Sequence, residues 1–443
     1  MLIIVLWVCI GLVSIALYFA NSMTYELRAA DNRVSGIAAD QAIEGAARYV
    51  GYVLQNFATN GAMPDLTQYT AAGLAIGDAH VWLIGRDPTG ENSSEPYFSL
   101  IDEASKLNLN TANTNTLSYL PNMTYDFAQA ILDWRGTNGQ VSLDYTSLGY
   151  LPKNAPFETV DELRLVYGAD VGFLAGEDVN RNGVLDASEK DLNANGELDP
   201  GLLGYVTVYT REPNFHSDGG SLTNVNTIRN QTGFLTLFQN DGVSSPSSRA
   251  EAIFLYTHPR GNTTPQNQVR TFTSILDFAV RCRSAGMSAD DYAKISADVT
   301  ISTNSYFRGR VNINTASGDV LTALFEGLTN DEQTSIAATQ SLLNYREQNP
   351  NNLGSIVWIY DALGNNNAVL TALRRGDYIT TRSFQFTADI AAVGAYGRGY
   401  RRVKFIFDIS DGTPKILYRQ DLSRLGWAIG EKARQTLVAN NTQ

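Results

Sequence analysis

Between Asp178 and Glu189 the chain reads DVNRNGVLDASE, and its oxygen-bearing residues fall at offsets that suit one purpose. Asp178, Asn180 and Asn182 take the first, third and fifth places, Gly183 the sixth, Val184 the seventh, Asp186 the ninth and Glu189 the twelfth. Calcium binds about six to eight oxygens, and this spacing supplies them from one loop. Three side chains, the Val184 carbonyl, Asp186 directly or through water, and both oxygens of Glu189 would surround the ion, with Gly183 permitting the sharp turn.

A second copy, DLNANGELD, starts 13 residues later and sets Asp191, Asn193, Asn195 and Asp199 at the same offsets, with Glu197 in the carbonyl-donating place. Its twelfth position is Leu202, so this copy lacks the closing acid and should bind more weakly unless a carboxylate from elsewhere completes it, for which Asp170 and Glu177 are the candidates. Loops this close leave no room for the helices of two complete EF-hands. The expectation is a tandem of loops holding one or two structural calcium ions, which crosslink a segment too polar to build its own core. Such a site suits millimolar extracellular calcium and therefore an exported domain.

Little else in the chain could do chemistry. The three histidines, His80, His216 and His258, fall in no metal spacing, and there is no G-x-S-x-G elbow, phosphate loop or C-x-x-C. We expect no enzyme. The formal charge of -12 over 443 residues gives no reason to expect nucleic acid, whose binding rests on Lys and Arg. Cys9 and Cys282 are not expected to pair, since the first lies in an apolar run.

That run, MLIIVLWVCIGLVSIALYFA, is twenty residues without a charge. As a helix it spans about 30 Å, enough to cross a bilayer. It lacks the basic start and small-residue cleavage site of a signal peptide, so it reads as a retained anchor. The pattern then turns one-faced, with Ala38, Ala42, Gly45, Ala46, Tyr49 and Val53 on a helical stripe and Arg33, Asp40, Glu44 and Arg48 on the wet side. One unbroken helix of roughly 50 to 55 residues is the expectation.

Period-two patterns mark strands at 80–85, 97–102, 383–390 and 401–410, the last turning at Asp411-Gly412 into KILYRQ. They read as half-buried and antiparallel, so that a long helix on such a sheet makes an α+β design. Between them lies an internal repeat: KLNLNTA at 106–112 returns as RVNINTA at 310–316, each followed by a helical stretch ending in WR or YR. FETVDELRLV and LGSIVWIYDAL continue the match.

These two copies resemble the helix-hairpin-helix (SAM-like) units of DNA-binding competence proteins, whose G-[IV]-G hairpins hold a phosphate. Here the hairpins are placed at Leu120-Pro121-Asn122-Met123 and Glu326-Gly327-Leu328-Thr329, without the paired glycines. A structural use is therefore expected, with Asn108, Asn110, Asn312 and Asn314 bracing turns and capping helices.

Taken together, MLIIVLWV, FSLIDEASKLNLNTA, AILDWR, FETVDELRLV and GRVNINTAS make the chain resemble the K-type minor pseudopilins of the type II secretion system. The resemblance implies a type IV pilin-like fold with a large, mostly helical insertion. Its divisions would be a transmembrane and pilin helix at 1–60, a first α/β part at 61–105, a helical insertion at 106–305 with calcium loops at 178–202, a second helical repeat at 306–375, and returning strands at 376–443. It also implies that prepilin peptidase exposes Met1 and that Met1 is then N-methylated.

Most pilins carry glutamate at the fifth mature position to neutralise a neighbouring subunit's amine, and this chain has Val5. A subunit with nothing above it needs no such acid. The family's place is accordingly the tip of the pseudopilus, where it initiates assembly with the I-type and J-type minor pseudopilins and other pseudopilus subunits above an inner-membrane secretion platform. There it supports export of folded proteins across the outer membrane. The chain would be a single-pass protein of the inner membrane with its bulk in the periplasm. The alternative is a minor pilin of a type IV pilus or competence system that binds DNA or a surface.

Overall fold

A computed structural model describes residues 2–87, 95–137, 143–186, 189–194, 196 and 198–439. The chain opens with α1 (Leu2–Phe57), a helix of 56 residues uninterrupted because no proline falls within it. Its first half, to Val34, is exposed almost throughout. Its second half buries Ser35, Gly36, Ala39, Ala42, Ile43, Ala46, Ala47, Val50, Val53 and Leu54. This face is broader than the expected stripe, whose Ala38, Gly45 and Tyr49 are only half-buried, while Arg33, Asp40, Glu44 and Arg48 are exposed as expected.

Three short strands follow: β1 (Leu74–Ile76), β2 (Ala79–Ile84) and β3 (Ile101–Asp102). A first helical unit then comprises β4 (Leu107–Asn108), α2 (Thr114–Ser118), α3 (Tyr125–Trp134), α4 (Val171–Ala175) and β5 (Val206–Thr207). After β6 (Arg211–Pro213) a second unit holds β7 (Thr223–Asn224), α5 (Gln231–Asn240), α6 (Pro246–Thr257), α7 (Ile275–Ser284), α8 (Ala289–Ser296) and β8 (Val299–Thr300). Beyond β9 (Tyr306–Arg308) a third unit holds β10 (Val311–Asn312), α9 (Gly318–Thr329), α10 (Glu332–Gln348), α11 (Trp358–Leu363), α12 (Ala368–Leu373) and β11 (Ile379–Thr380). The chain then returns through β12 (Gln385–Gly394), β13 (Arg398–Asp408) and β14 (Lys415–Asp421) and ends in α13 (Gly430–Ala439).

The main sheet runs β1-β2-β12-β13-β14, with β3 also pairing with β12, and its pairings are antiparallel. Phe386, Ala388 and Ile390 of β12 and Val403, Phe405 and Phe407 of β13 share one core with the buried face of α1. The helix approaches so closely that a Cβ on Gly394 or Gly399 would lie 2.4 Å from backbone atoms of Ser35 or Gly36. This is the pilin-like α+β architecture that the resemblance implied, with the helical units inserted between β3 and β12.

One expectation is corrected here. β12 is buried along its whole length on both faces, whereas its alternation suggested a half-buried strand. Two segments cover the second face. The insertion and the chain leading into it lie where Gln385 accepts from Arg211 N at 2.8 Å, Thr387 donates to Glu103 at 2.6 Å and Asp389 pairs with Arg402 of β13. Further along, Ala391 and Val393 pack with Ala428 and Ile429 near the C-terminus.

The repeat is also larger than expected: among the described residues three units share one plan. Each opens on N-x-N-T, at 108–111, 224–227 and 312–315, and closes on a strand that pairs with the opening one in parallel. In each the first asparagine accepts from the backbone amide two residues on, at 2.8, 3.0 and 2.9 Å. The second reaches across to Phe157, Phe272 or Leu353, donating to its carbonyl at 2.9, 3.0 and 2.9 Å. Thr207, Thr300 and Thr380 each accept from the amide two residues later.

The middle copy escapes a search for WR or YR because Thr257-His258 stands at its helix end. In the outer copies Arg135 and Arg346 donate to the carbonyls of Leu109 and Ala112, and of Ile313 and Ala316. Asn108, Asn110, Asn312 and Asn314 thus brace turns, while the caps of α2, α5 and α9 fall to Asn113, Asn230 and Ser317.

The third hairpin is displaced from its expected place as well. Glu326 to Thr329 remain helical, and the turn falls at Asn330, at φ 52°. Gly327 sits inside the helix because α9 crosses α2 there: a Cβ would lie 2.5 Å from Thr116 Oγ1 and 2.6 Å from its Cα. Overpacking of this kind costs about 1–3 kcal/mol, against about 1 kcal/mol that alanine gains in a helix. Gly327→Ala should therefore lower the urea midpoint of the full chain, and an unchanged midpoint would show that the two helices can separate.

Candidate metal centre

The two Asp/Asn/Gly loops hang from a neck. Gly176 bridges Pro200, Glu177 N donates to Asp199 O at 3.0 Å, and Gly201 N donates to Ala175 O at 3.1 Å. Between these contacts the described residues of the two copies take matching conformations. The fourth residue of each loop, Arg181 or Ala194, is left-handed at φ 59° and 58°, and the sixth, Gly183 or Gly196, at 83° and 76°. Gly183 N donates to Asp178 Oδ2 at 3.0 Å, and Gly196 N donates to Asp191 Oδ2 at 2.8 Å. The Asn180 amide reaches Asp186, and the Asn193 amide reaches Asp199 in the same way.

In the first loop Glu189 closes the ring, accepting from Asn180 N at 3.0 Å and Asp186 N at 3.1 Å. In the second loop Glu177 takes that part, accepting from Leu192 N at 2.6 Å and Asp199 N at 3.0 Å. Asp170, the other candidate, is spent as the N-cap of α4. An acid ahead of the loop in sequence thus stands in for the missing twelfth residue. Asn195 and Glu197 lie outside the described residues, as does Met1.

Asp178, Asn180, Asn182 and Val184 are buried, and Asn182 also donates to Asp186, at 2.8 Å. Asn180 Oδ1 is buried and finds no hydrogen-bond partner among the described residues. Burial of an unmatched acceptor is costly unless something meets it. The Glu189 carboxyl is pushed above its usual range by burial, and the charges of Asp178 and Asp186 add to the effect. A divalent cation would satisfy the orphaned oxygen and relieve the repulsion together. Among the described residues no group of three or more His, Cys, Asp or Glu side chains is gathered as a metal cluster. The first loop depends instead on amide oxygens and the Val184 carbonyl as well as its acids, and this all-oxygen donor set fits calcium.

Two buried carboxylates escaped the sequence reading. Asp102 accepts from Ala104 N, Asn312, Thr315 and Ser383, and Glu103 accepts from Lys106, Thr207 and Thr387. The pair ties the third and first units to the sheet. Only the adjacency of two acids in LIDEAS could have signalled it.

The hairpin nearest to the phosphate-binding pattern is Gly242-Val243-Ser244 in the middle unit. Ser244 donates to Asp291 and Lys294 donates to Gly242 O, so a carboxylate sits at that turn. Bonds from Lys294 and Ser244 hold the Asp291 carboxyl down at about 2. A carboxyl lowered by folding contributes stability above its unfolded value of about 3.9, and that contribution is lost as pH falls toward 2. In Asp291→Asn the urea midpoint, followed by circular dichroism, should fall by less as pH drops through this window than it does in the parent.

Val5 is exposed on α1, and the first turn of that helix carries no acid. By length and composition α1 could cross a membrane. No family model and no curated protein matches the chain. Among solved structures it is similar to a chain of the GspK-GspI-GspJ complex from the enterotoxigenic Escherichia coli type 2 secretion system, at 11% identity and a TM-score of 0.40, over 89% of this chain and 99% of that one.

Proposed function

We propose that this chain is a non-enzymatic minor pseudopilin that caps the pseudopilus of a type II secretion system and initiates its assembly with I-type and J-type minor pseudopilins. The observation that carries the reading is α1: one continuous helix whose first twenty residues are apolar, uncharged and exposed while its second half is packed on the sheet. Such a helix can lie in the inner membrane and later among the helices of a filament, while the globular part stays in the periplasm. Val5 suits the top position, because an unpaired carboxylate in an apolar bundle would be expensive with no amine to meet it.

Calcium belongs to this reading as a structural ion. Asp178, Asn180, Asn182, Val184, Asp186 and Glu189 would hold one ion. Asp191, Asn193, Asn195, Glu197 and Asp199, completed by Glu177, would hold a second. The ion supplies a crosslink between oxygens that otherwise repel one another.

The mass of the N-terminal peptide from membrane-extracted protein tests the proposal. An N-methylated Met1 is expected, as prepilin-peptidase processing would leave it. An unmodified or formylated Met1, or a start after Ala20, would overturn it.

A further inference from the structure

Arg402 is fully buried in the middle of the sheet, and only half of its hydrogen bonding is spent there. Its Nε and Nη2 donate to Asp389 on the neighbouring strand β12, at 2.8 and 2.7 Å, forming a two-pronged ion pair. Its Nη1 donates to the carbonyl of Asn180, and Nη2 also donates to that of Arg181, at 2.8 Å. Those carbonyls belong to the third and fourth residues of the first loop. A side chain of the sheet therefore grips the loop's main chain across more than two hundred residues of sequence.

Other groups of the pilin-like part hold the same stretch. Arg86, just beyond β2, donates to Arg181 O at 3.3 Å and to Asp178 Oδ2 at 3.4 Å. The Asn180 amide also donates to the Trp427 carbonyl, at 3.4 Å. The left-handed Arg181 turns the chain where two successive carbonyls meet one guanidinium. The residue so gripped, Asn180, is the one whose side-chain oxygen is buried without a partner among the described residues. Fixing its backbone fixes where that oxygen points.

We propose that Arg402, oriented by Asp389, is the positioning residue of the first calcium site, and that occupancy of the site is coupled through it to the seating of the helical insertion on the sheet. The inference rests on the calcium reading. Coupling is reciprocal: if the sheet holds the loop in its binding conformation, a bound ion must stabilise the sheet contact by the same free energy. An incorrectly placed Asn180 would lose affinity without any ligand having been removed, as other supporting contacts of metal ligands do, at about 10–100-fold each.

The test uses the detergent-solubilised full-length chain and calcium alone. Isothermal titration of Arg402→Met should show first-loop affinity lowered about 10-fold or more, with Arg402→Lys recovering part of the loss and second-loop binding unchanged. Hydrogen exchange of the unaltered protein should slow on adding calcium at the amides of 389–393 and 400–404. Unchanged affinity in Arg402→Met, or exchange at those amides indifferent to bound calcium, overturns the coupling while leaving the calcium site standing. A melting temperature lowered without any change in affinity marks a merely structural arginine and also overturns it. If Arg402→Met fails to fold, the exchange experiment on the unaltered chain decides alone. Absence of any calcium heat in the unaltered protein removes the calcium reading itself.

Discussion

Chelation of the full-length protein should lower its thermal unfolding temperature, and restoring millimolar calcium should recover it. An ion that binds only the folded chain stabilises it by mass action, by about 2.7 kcal/mol per site at one hundred times the dissociation constant. Without the ion, the buried Asn180 Oδ1 stays unmatched, and the Glu189 carboxyl feels the charges of Asp178 and Asp186 with nothing to offset them. Glu189→Gln should remove the first loop's share of the calcium dependence, because the oxygen pair that closes its ring is replaced by a neutral amide.

Acid should do the same in the parent protein. Burial and its acidic neighbours raise the Glu189 carboxyl, so protons displace the ion as pH falls through that raised value. Calcium titrations at descending pH, set beside melting curves with and without chelator, check both statements. Indifference of the melting curve to chelator would sink the structural role of calcium.

The second large effect belongs to the neck. Gly176 has φ 64° and ψ -147°, a conformation that costs a residue with a Cβ about 1–3 kcal/mol. A Cβ there would lie 2.3 Å from Gly201 N and 2.4 Å from Asp199 O, and one on Gly201 would lie 2.3 Å from Gly176 N. These are backbone atoms and cannot rotate aside, so a further overpacking cost of about 1–3 kcal/mol is expected.

Gly176→Ala and Gly201→Ala should each lower stability strongly and weaken calcium binding at both loops, because both are strung from this crossing. Gly196→Ala is the contrast: φ is 76°, but among the described residues nothing lies within 4 Å of the added carbon, so the strain of the left-handed backbone is the cost expected. Urea unfolding of the three variants gives the order. Equal losses for Gly176→Ala and Gly196→Ala would show that the neck opens without cost.

What the sequence determined by itself was local. Twenty uncharged residues followed by a stripe of small ones sufficed for α1, since both signals lie within one helix and repeat with its period. The offsets of DVNRNGVLDASE sufficed to nominate the first loop, because a loop that wraps one centre carries its ligands in order along the chain. The alternations at Phe386, Ala388 and Ile390 and at Val403, Phe405 and Phe407 likewise showed which side of each strand meets the helix.

Tertiary structure decided what depends on residues far apart. β12 proved buried on both faces because the insertion folds back over Gln385, Thr387 and Asp389, polar residues that alternation assigns to water, and the C-terminal segment packs on Ala391 and Val393. The middle repeat lacked the aromatic-arginine ending and became visible only through its bracing asparagines and parallel strand pair. The third hairpin moved to Asn330 because Gly327 was serving a helix crossing and not a turn. Glu177 closes the second loop from ahead of it, and Arg402 reaches the first loop from another strand of the sheet. Hydrogen bonds between distant segments leave no period or spacing in the sequence, because the chain between their partners can be of any length.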